Sequence, residues 1–120
     1  MPEDAAQHIE IDPDRAAELV ASGAALIDVR RDYEWDAGRI EGARHIEMNG
    51  LTAEAESISQ ENPVVFYCRV GNRSALAAAA FRETGWEAYS LAGGLKDWVK
   101  TGHEIEPEDG EVADSRPGGG

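Results

Sequence analysis

Pro63-Val64-Val65-Phe66-Tyr67-Cys68-Arg69-Val70-Gly71-Asn72-Arg73-Ser74 is the stretch from which the fold is read. Residues 63–67 are an apolar run, the pattern of a short strand buried on both faces. Residues 74–84 are alanine-rich, with Leu76 and Phe81 among good helix formers, which predicts a helix closed by Gly85. What lies between is a strand-to-helix loop, with the only cysteine of the chain at its mouth. First-turn N–H groups of a helix lack intrahelical partners, and successive N–H groups in such a loop converge, so the loop welcomes an anion. A Cys68 thiolate is such an anion, and the helix macrodipole with the cations Arg69 and Arg73 is expected to favour it. A single cysteine at a strand end is ordinarily an inert core residue. Gly71, the two arginines and the following helix favour the reactive reading, because packing a thiol requires none of them.

Working outward, residues 8–11 read as a first strand, and Asp12 or Asp14 around Pro13 starts a helix that ends at Gly23. Residues 24–29 form a buried strand containing Asp28, and residues 32–37 a short helix stopped by Gly38. Residues 44–48 predict a third strand, and Thr52 caps a helix over 53–59. Residues 87–91 give the last strand, and Gly93-Gly94 turns the chain into a final helix with Leu95, Trp98 and Val99. Strands alternating with helices predict one α/β domain, a mostly parallel five-stranded sheet with helices on both faces. Ligands of such sheets sit beyond the carboxyl ends of the strands, where both Asp28-Val29-Arg30 and Cys68 fall. The domain is expected to span residues 8–106, with a flexible segment at 1–7. Residues 107–120, acidic and ending Pro117-Gly118-Gly119-Gly120, are expected to be disordered.

A chain of 120 residues suits one domain. No apolar run reaches membrane-spanning length, and Met1-Pro2-Glu3-Asp4 lacks the start of a signal peptide. A single cysteine allows no internal disulfide and fits a reducing compartment, so a cytoplasmic location is expected. It also leaves no internal resolving thiol, so whatever Cys68 takes up must pass to an external acceptor. The net charge of −13 argues against nucleic-acid or anionic-membrane partners. Much of it comes from Glu3, Asp4, Glu104, Glu106, Glu108, Asp109, Glu111 and Asp114, and reads as a solvated surface. His8, His45 and His103 have no ligand spacing, so no metal is expected; with no phosphate-binding glycine motif, neither is a cofactor. Trp35, Trp86 and Trp98 read as packing residues, with Trp35 in a segment able to wall the pocket.

Three stretches together resemble the single-domain rhodaneses, a family of sulfurtransferases. Asp28-Val29-Arg30 followed by Glu34, Gly38-Arg39-Ile40, Gly42-Ala43 and Ile46 is similar to the N-terminal signature, with Arg39 where the family commonly has His. Residues 68–74 are similar to the active-site loop, and Leu91-Ala92-Gly93-Gly94-Leu95 with Trp98 to the C-terminal signature. The resemblance implies that Cys68 takes the outer sulfur of thiosulfate or of a persulfide donor, becomes a persulfide, and passes that sulfur to cyanide, a small thiol or a protein thiol. It implies a cradle built from Arg69, Val70, Gly71, Asn72, Arg73 and Ser74, in which backbone N–H groups hold the sulfur and the two arginines orient an anionic donor. Asp28 and Arg30 are placed beside the loop. Asp28 is expected to accept from donors such as the Ser74 hydroxyl, and Arg30 to pair with Glu34 or reach the donor; both read equally well as supporting struts. Glu34 is expected to hold a local salt bridge.

Two other classes compete: a persulfide carrier or non-catalytic docking module serving a partner protein, and a cysteine-based phosphatase or arsenate reductase. The last uses a Cys and an Arg separated by five residues, whereas four separate Cys68 from Arg73. The smaller ring suits one sulfur atom better than a tetrahedral oxyanion, which needs more donors and more room. The expected outcome is no measurable aryl-phosphate hydrolysis or arsenate reduction by the native chain, and only weak inhibition by vanadate or phosphate. Steady-state assays check this, and efficient aryl-phosphate hydrolysis would overturn the sulfur-transfer reading.

Overall fold

The computed structural model describes residues 9–114. Its elements run β1 (Glu10–Ile11), α1 (Pro13–Ala21), β2 (Ala25–Asp28), α2 (Asp32–Ala37), β3 (Arg44–His45), α3 (Leu51–Glu54), β4 (Val64–Tyr67), α4 (Asn72–Glu83), β5 (Ala88–Leu91) and α5 (Gly94–Lys100). The strands form one five-stranded sheet in the order β1-β5-β4-β2-β3. Every pairing is parallel, with Ile27 opposite Phe66 and Asp28 opposite Tyr67. This register sets the ends of β2 and β4 side by side at the carboxyl edge.

Alternation along the central strands divides the core. Ile27, Val29, Val64, Phe66 and Cys68 join Ala77, Ala78 and Phe81 of α4 with Leu51 and Ile58. Leu26, Val65 and Tyr67 face the other way, toward Ala16 of α1 and Leu95 and Trp98 of α5. Val64 to Tyr67 are all fully buried, which is why β4 reads as an unbroken apolar run. The small side chains of Ala77 and Ala78 let α4 lie close against the sheet. At α1, the Asp12 carboxylate accepts from the Arg15 N–H at 2.8 Å, and Pro13 occupies the first turn, as the capping pattern predicts.

Four expectations change. The first strand is limited to Glu10–Ile11, and His8 lies outside the described residues. The third strand stops at His45: Ile46 and Met48 still donate to the carbonyls of Asp28 and Val29 at 3.0 and 3.2 Å, but a 3₁₀ turn over Met48–Gly50 then takes the backbone away. Thr52 lies inside α3 and does not cap it. That helix gives way to a 3₁₀ turn at Ala55–Ser57, where the Ser57 hydroxyl takes the Glu54 carbonyl at 2.6 Å, the competition by which serine shortens helices.

The fourth change concerns the acidic tail. Residues 107–114 lie against the domain: Glu111 N–H donates to the Ala37 carbonyl at 2.8 Å, and Ile105 and Val112 pack on the second core. Composition without periodicity hid an attachment made mostly through backbone groups. The expected flexible segment at 1–7 and the terminal residues 115–120 lie outside the described residues.

Candidate active site

β4 ends by delivering Cys68 to the start of α4, with the residue 1% exposed. Its Sγ receives the backbone N–H of Gly71 at 3.1 Å and of Ser74 at 3.4 Å, and lies 3.5 Å from the Ser74 hydroxyl. The turn that aims these donors depends on Gly71, which caps α4 at φ 107°, in the left-handed region. The expected N–H cradle is therefore carried at the sulfur by Gly71 and Ser74. Arg69, Val70, Asn72 and Arg73 complete the loop around it.

Behind the sulfur stands Ser90 of β5, fully buried like Ser74. Their hydroxyls are 2.7 Å apart. If Ser90 donates to Ser74, the Ser74 proton is left for the Gly71 carbonyl at 3.3 Å or for Sγ at 3.5 Å. Nothing in the sequence singled out Ser90; the signal available was a serine alternating with apolar residues in a strand that ends next to the loop.

Gly94, expected as part of a turn and of the C-terminal signature, has a further role beside the loop. Leu95 N–H donates to the Cys68 carbonyl at 2.8 Å and Lys96 N–H to the Arg69 carbonyl at 3.1 Å. A Cβ on Gly94 would lie 2.5 Å from the Cys68 oxygen and also overlap the Arg69 carbonyl. The start of α5 thus clamps the backbone on which Cys68 sits.

The charged residues pair differently from expectation. Asp28 does not meet Ser74: it takes Nε and Nη2 of Arg30 at 2.9 and 2.6 Å, both side chains being wholly buried. Arg30 pairs with neither Glu34 nor open solvent. It also donates to the Gly38 carbonyl at 2.7 Å and lies over the Tyr67 ring, whose hydroxyl accepts from Ile40 N–H at 3.0 Å. Burial and then the Asp28 carboxylate push the Tyr67 phenol up, so it stays protonated. The Asp28–Arg30 pair is thus a strut tying the segment at 38–40 to the sheet.

Glu34 reaches well beyond its own helix to grip Arg73, in a two-pronged bridge of 2.9 Å on each arm. The same carboxylate accepts from Arg31 N–H at 3.1 Å. Arg69 bonds Asp114 at 3.0 Å. Trp35 stacks on His45 with Arg39 over its ring. A cleft of about 340 Å³ opens beside the loop, lined by Val29, Arg31, Glu47, Met48, Asn49 and Arg73. Among the described residues no group of His, Cys, Asp or Glu side chains is placed to hold a metal ion, and no helix is long and apolar enough to cross a membrane.

Comparison with known proteins matches residues 12–101 to the rhodanese-like domain. An uncharacterised protein of Bacillus subtilis, YqhL, is 42% identical over 76 residues, a match covering 62% of this chain and 60% of that protein. The thiosulfate sulfurtransferase GlpE of Pseudomonas paraeruginosa is 35% identical over 89 residues, covering 73% of this chain and 81% of that enzyme. The crystal structure of a rhodanese-related protein from Thermoplasma volcanium superposes with a TM-score of 0.74 at 23% identity, covering 80% of this chain and 95% of that one, a likeness of fold.

The Glu34–Arg73 bridge has a measurable signature. Burial pushes the Glu34 carboxyl up, but the Arg73 hydrogen bond, the Arg31 N–H and the charges of Arg73 and Arg30 outweigh it and hold the group below its ordinary 4.5. Its contribution to stability is therefore complete above pH 4.5 and is lost as pH falls through the lowered folded-state value. Glu34→Gln is expected to cost about 3 kcal/mol at neutral pH, because it leaves Arg73 unpaired in a largely buried place. It should also make the loss of stability below pH 4.5 shallower than in the native chain. Thermal melts followed by circular dichroism across that range check both expectations.

Proposed function

The chain belongs to the rhodanese-like domain family, and on that premise we propose that it is a sulfurtransferase working through a Cys68 persulfide. The observation that carries the reading is the position of the single thiol: Sγ at the carboxyl edge of a parallel sheet, within reach of the Gly71 and Ser74 N–H groups. That is an environment for a sulfur anion.

In the first half-reaction the Cys68 thiolate attacks the outer sulfur of thiosulfate. The bond between that sulfur and the sulfonate sulfur breaks, sulfite leaves with the electron pair, and Cys68 carries a persulfide anion. In the second, cyanide or a thiolate attacks the terminal sulfur, and Cys68 departs as the thiolate with which the cycle began. A persulfide on a donor thiol serves in place of thiosulfate, with the donor thiolate as the leaving group. Negative charge sits on sulfur throughout, and it shifts outward by one sulfur atom when the persulfide forms. The Gly71 and Ser74 donors meet the charge in the resting thiolate. The other N–H groups of residues 69–74 are the candidates to meet it on the outer sulfur.

Arg73 contributes through its field. Its guanidinium, fixed by Glu34 and held in its charged form by that carboxylate first of all, also feels the Cys68 charge. The GlpE relative supports thiosulfate as a donor, while the single cysteine supports release to an external acceptor, small or protein-borne. A cytoplasmic setting belongs to the same reading, since its pool of reduced thiols offers acceptors for the sulfur that Cys68 carries.

Incubation with thiosulfate is expected to add the mass of one sulfur atom to the intact protein, and cyanide or excess thiol to remove it. Cys68→Ser should take up none. Intact-mass spectrometry checks this, and loading of the serine variant would sink the assignment of Cys68.

A further inference from the structure

Beyond residue 101, where the family match ends, the chain stays on the domain. Arg39 and Glu106 exchange backbone hydrogen bonds of 2.9 and 2.7 Å in an antiparallel bridge. Farther on, Glu111 N–H is anchored to the Ala37 carbonyl at 2.8 Å. The crossing requires two positions without side chains. A Cβ on Gly38 would lie 2.6 Å from the Glu111 oxygen, and one on Gly110 would lie 3.0 Å from the Ala37 oxygen. Residues 106–114 are thus a fitted strap with backbone anchors at its start and middle.

The strap arrives at the active-site loop. The Tyr33 hydroxyl donates to the Asp114 carbonyl at 3.3 Å, and the Asp114 carboxylate accepts from Nη2 of Arg69 at 3.0 Å. Arg69 follows the nucleophile directly, and it is the loop arginine that Glu34 does not hold. Its side chain is 24% exposed, and the Asp114 side chain 92%. A small anion approaching the loop therefore meets a cation already paired with an exposed carboxylate. Like charge at a contact disfavours the wrong partner more than opposite charge strengthens the right one.

Resting on the sulfurtransferase reading, we propose that this strap sets donor specificity: Asp114, held on Arg69, selects against small inorganic dianions such as thiosulfate and in favour of sulfur carried on a thiol in neutral or basic surroundings. Asp114 is a specificity determinant acting through Arg69, and takes no part in bond making. Because the pair is exposed, its effect is modest and screened by salt.

The test uses the full chain and two alkylating reagents of similar size, anionic iodoacetate and neutral iodoacetamide, reacting with Cys68. The ratio of their rate constants cancels any change in thiolate fraction and reads the charge at the mouth alone. Asp114→Asn is expected to raise the iodoacetate-to-iodoacetamide ratio about two- to fivefold at low ionic strength, with a parallel rise in kcat/KM for thiosulfate, and high salt should abolish both. Asp109→Asn, which removes the same charge from the strap away from Arg69, should leave the ratio unchanged. In an Arg69→Ala background Asp114→Asn should raise it less. An unchanged ratio in Asp114→Asn, or an equal rise in Asp109→Asn, overturns the proposal. A raised ratio in a protein whose every form fails to move sulfur from any donor supports the discrimination by Asp114 and counts against the sulfurtransferase reading instead.

Discussion

The docking of α5 on the carbonyls of Cys68 and Arg69 is the constraint on which the site depends. Two N–H groups at the start of that helix, those of Leu95 and Lys96, bind the backbone of Cys68 and Arg69. The approach is so close that position 94 has room only for hydrogen, and its φ of 65° is one that a side chain would strain. With the outer side of the loop clamped in this way, Gly71 turns its N–H inward and Ser74 follows in the first turn of α4. The C-terminal glycine pair and the cysteine loop, distant in sequence, are two halves of one device.

Around that device each arginine has a carboxylate, and burial decides what the pair can do. Asp28–Arg30 is wholly enclosed, and it joins the end of β2 to the carbonyl of Gly38. Glu34–Arg73 is nearly enclosed, close enough to the sulfur for Arg73 to feel its charge. A charge fixed in position before reaction stabilises an anion without reorganising at the moment of transfer. Arg69–Asp114 stands at the surface, where pairing is weak and can be exchanged for another partner. The three pairs grade from wholly buried to solvent-exposed.

The fold was legible because its signals are local. An apolar run of strand length, an alanine-rich helix and glycine stops each state their own conformation, and β4, α2 and the start of α1 lie where the pattern puts them. The place of Cys68 in a strand-to-helix loop was legible because the loop residues are contiguous from 68 to 74. The partners were not. Glu34 was expected to bond locally and reaches Arg73, while Asp28, left open between the Ser74 hydroxyl and a supporting strut, is taken by Arg30. Which carboxylate meets which arginine depends on side-chain geometry at the sheet edge, and the sequence carries no period or spacing for it. Ser90 was silent for the same reason: its hydroxyl has meaning only because β5 lies beside β4 and points it at Ser74.

The tail is the instructive failure of composition. Residues 107–114 are acidic and aperiodic, the pattern of a solvated segment, yet backbone groups and the apolar side chain of Val112 hold them in place. Gly38, read as a helix stop, also leaves the space in which the Glu111 backbone lies. A net charge of −13 is therefore not only a property of the solvated surface. One of its carboxylates is delivered to Arg69, the residue that follows the single thiol of the chain.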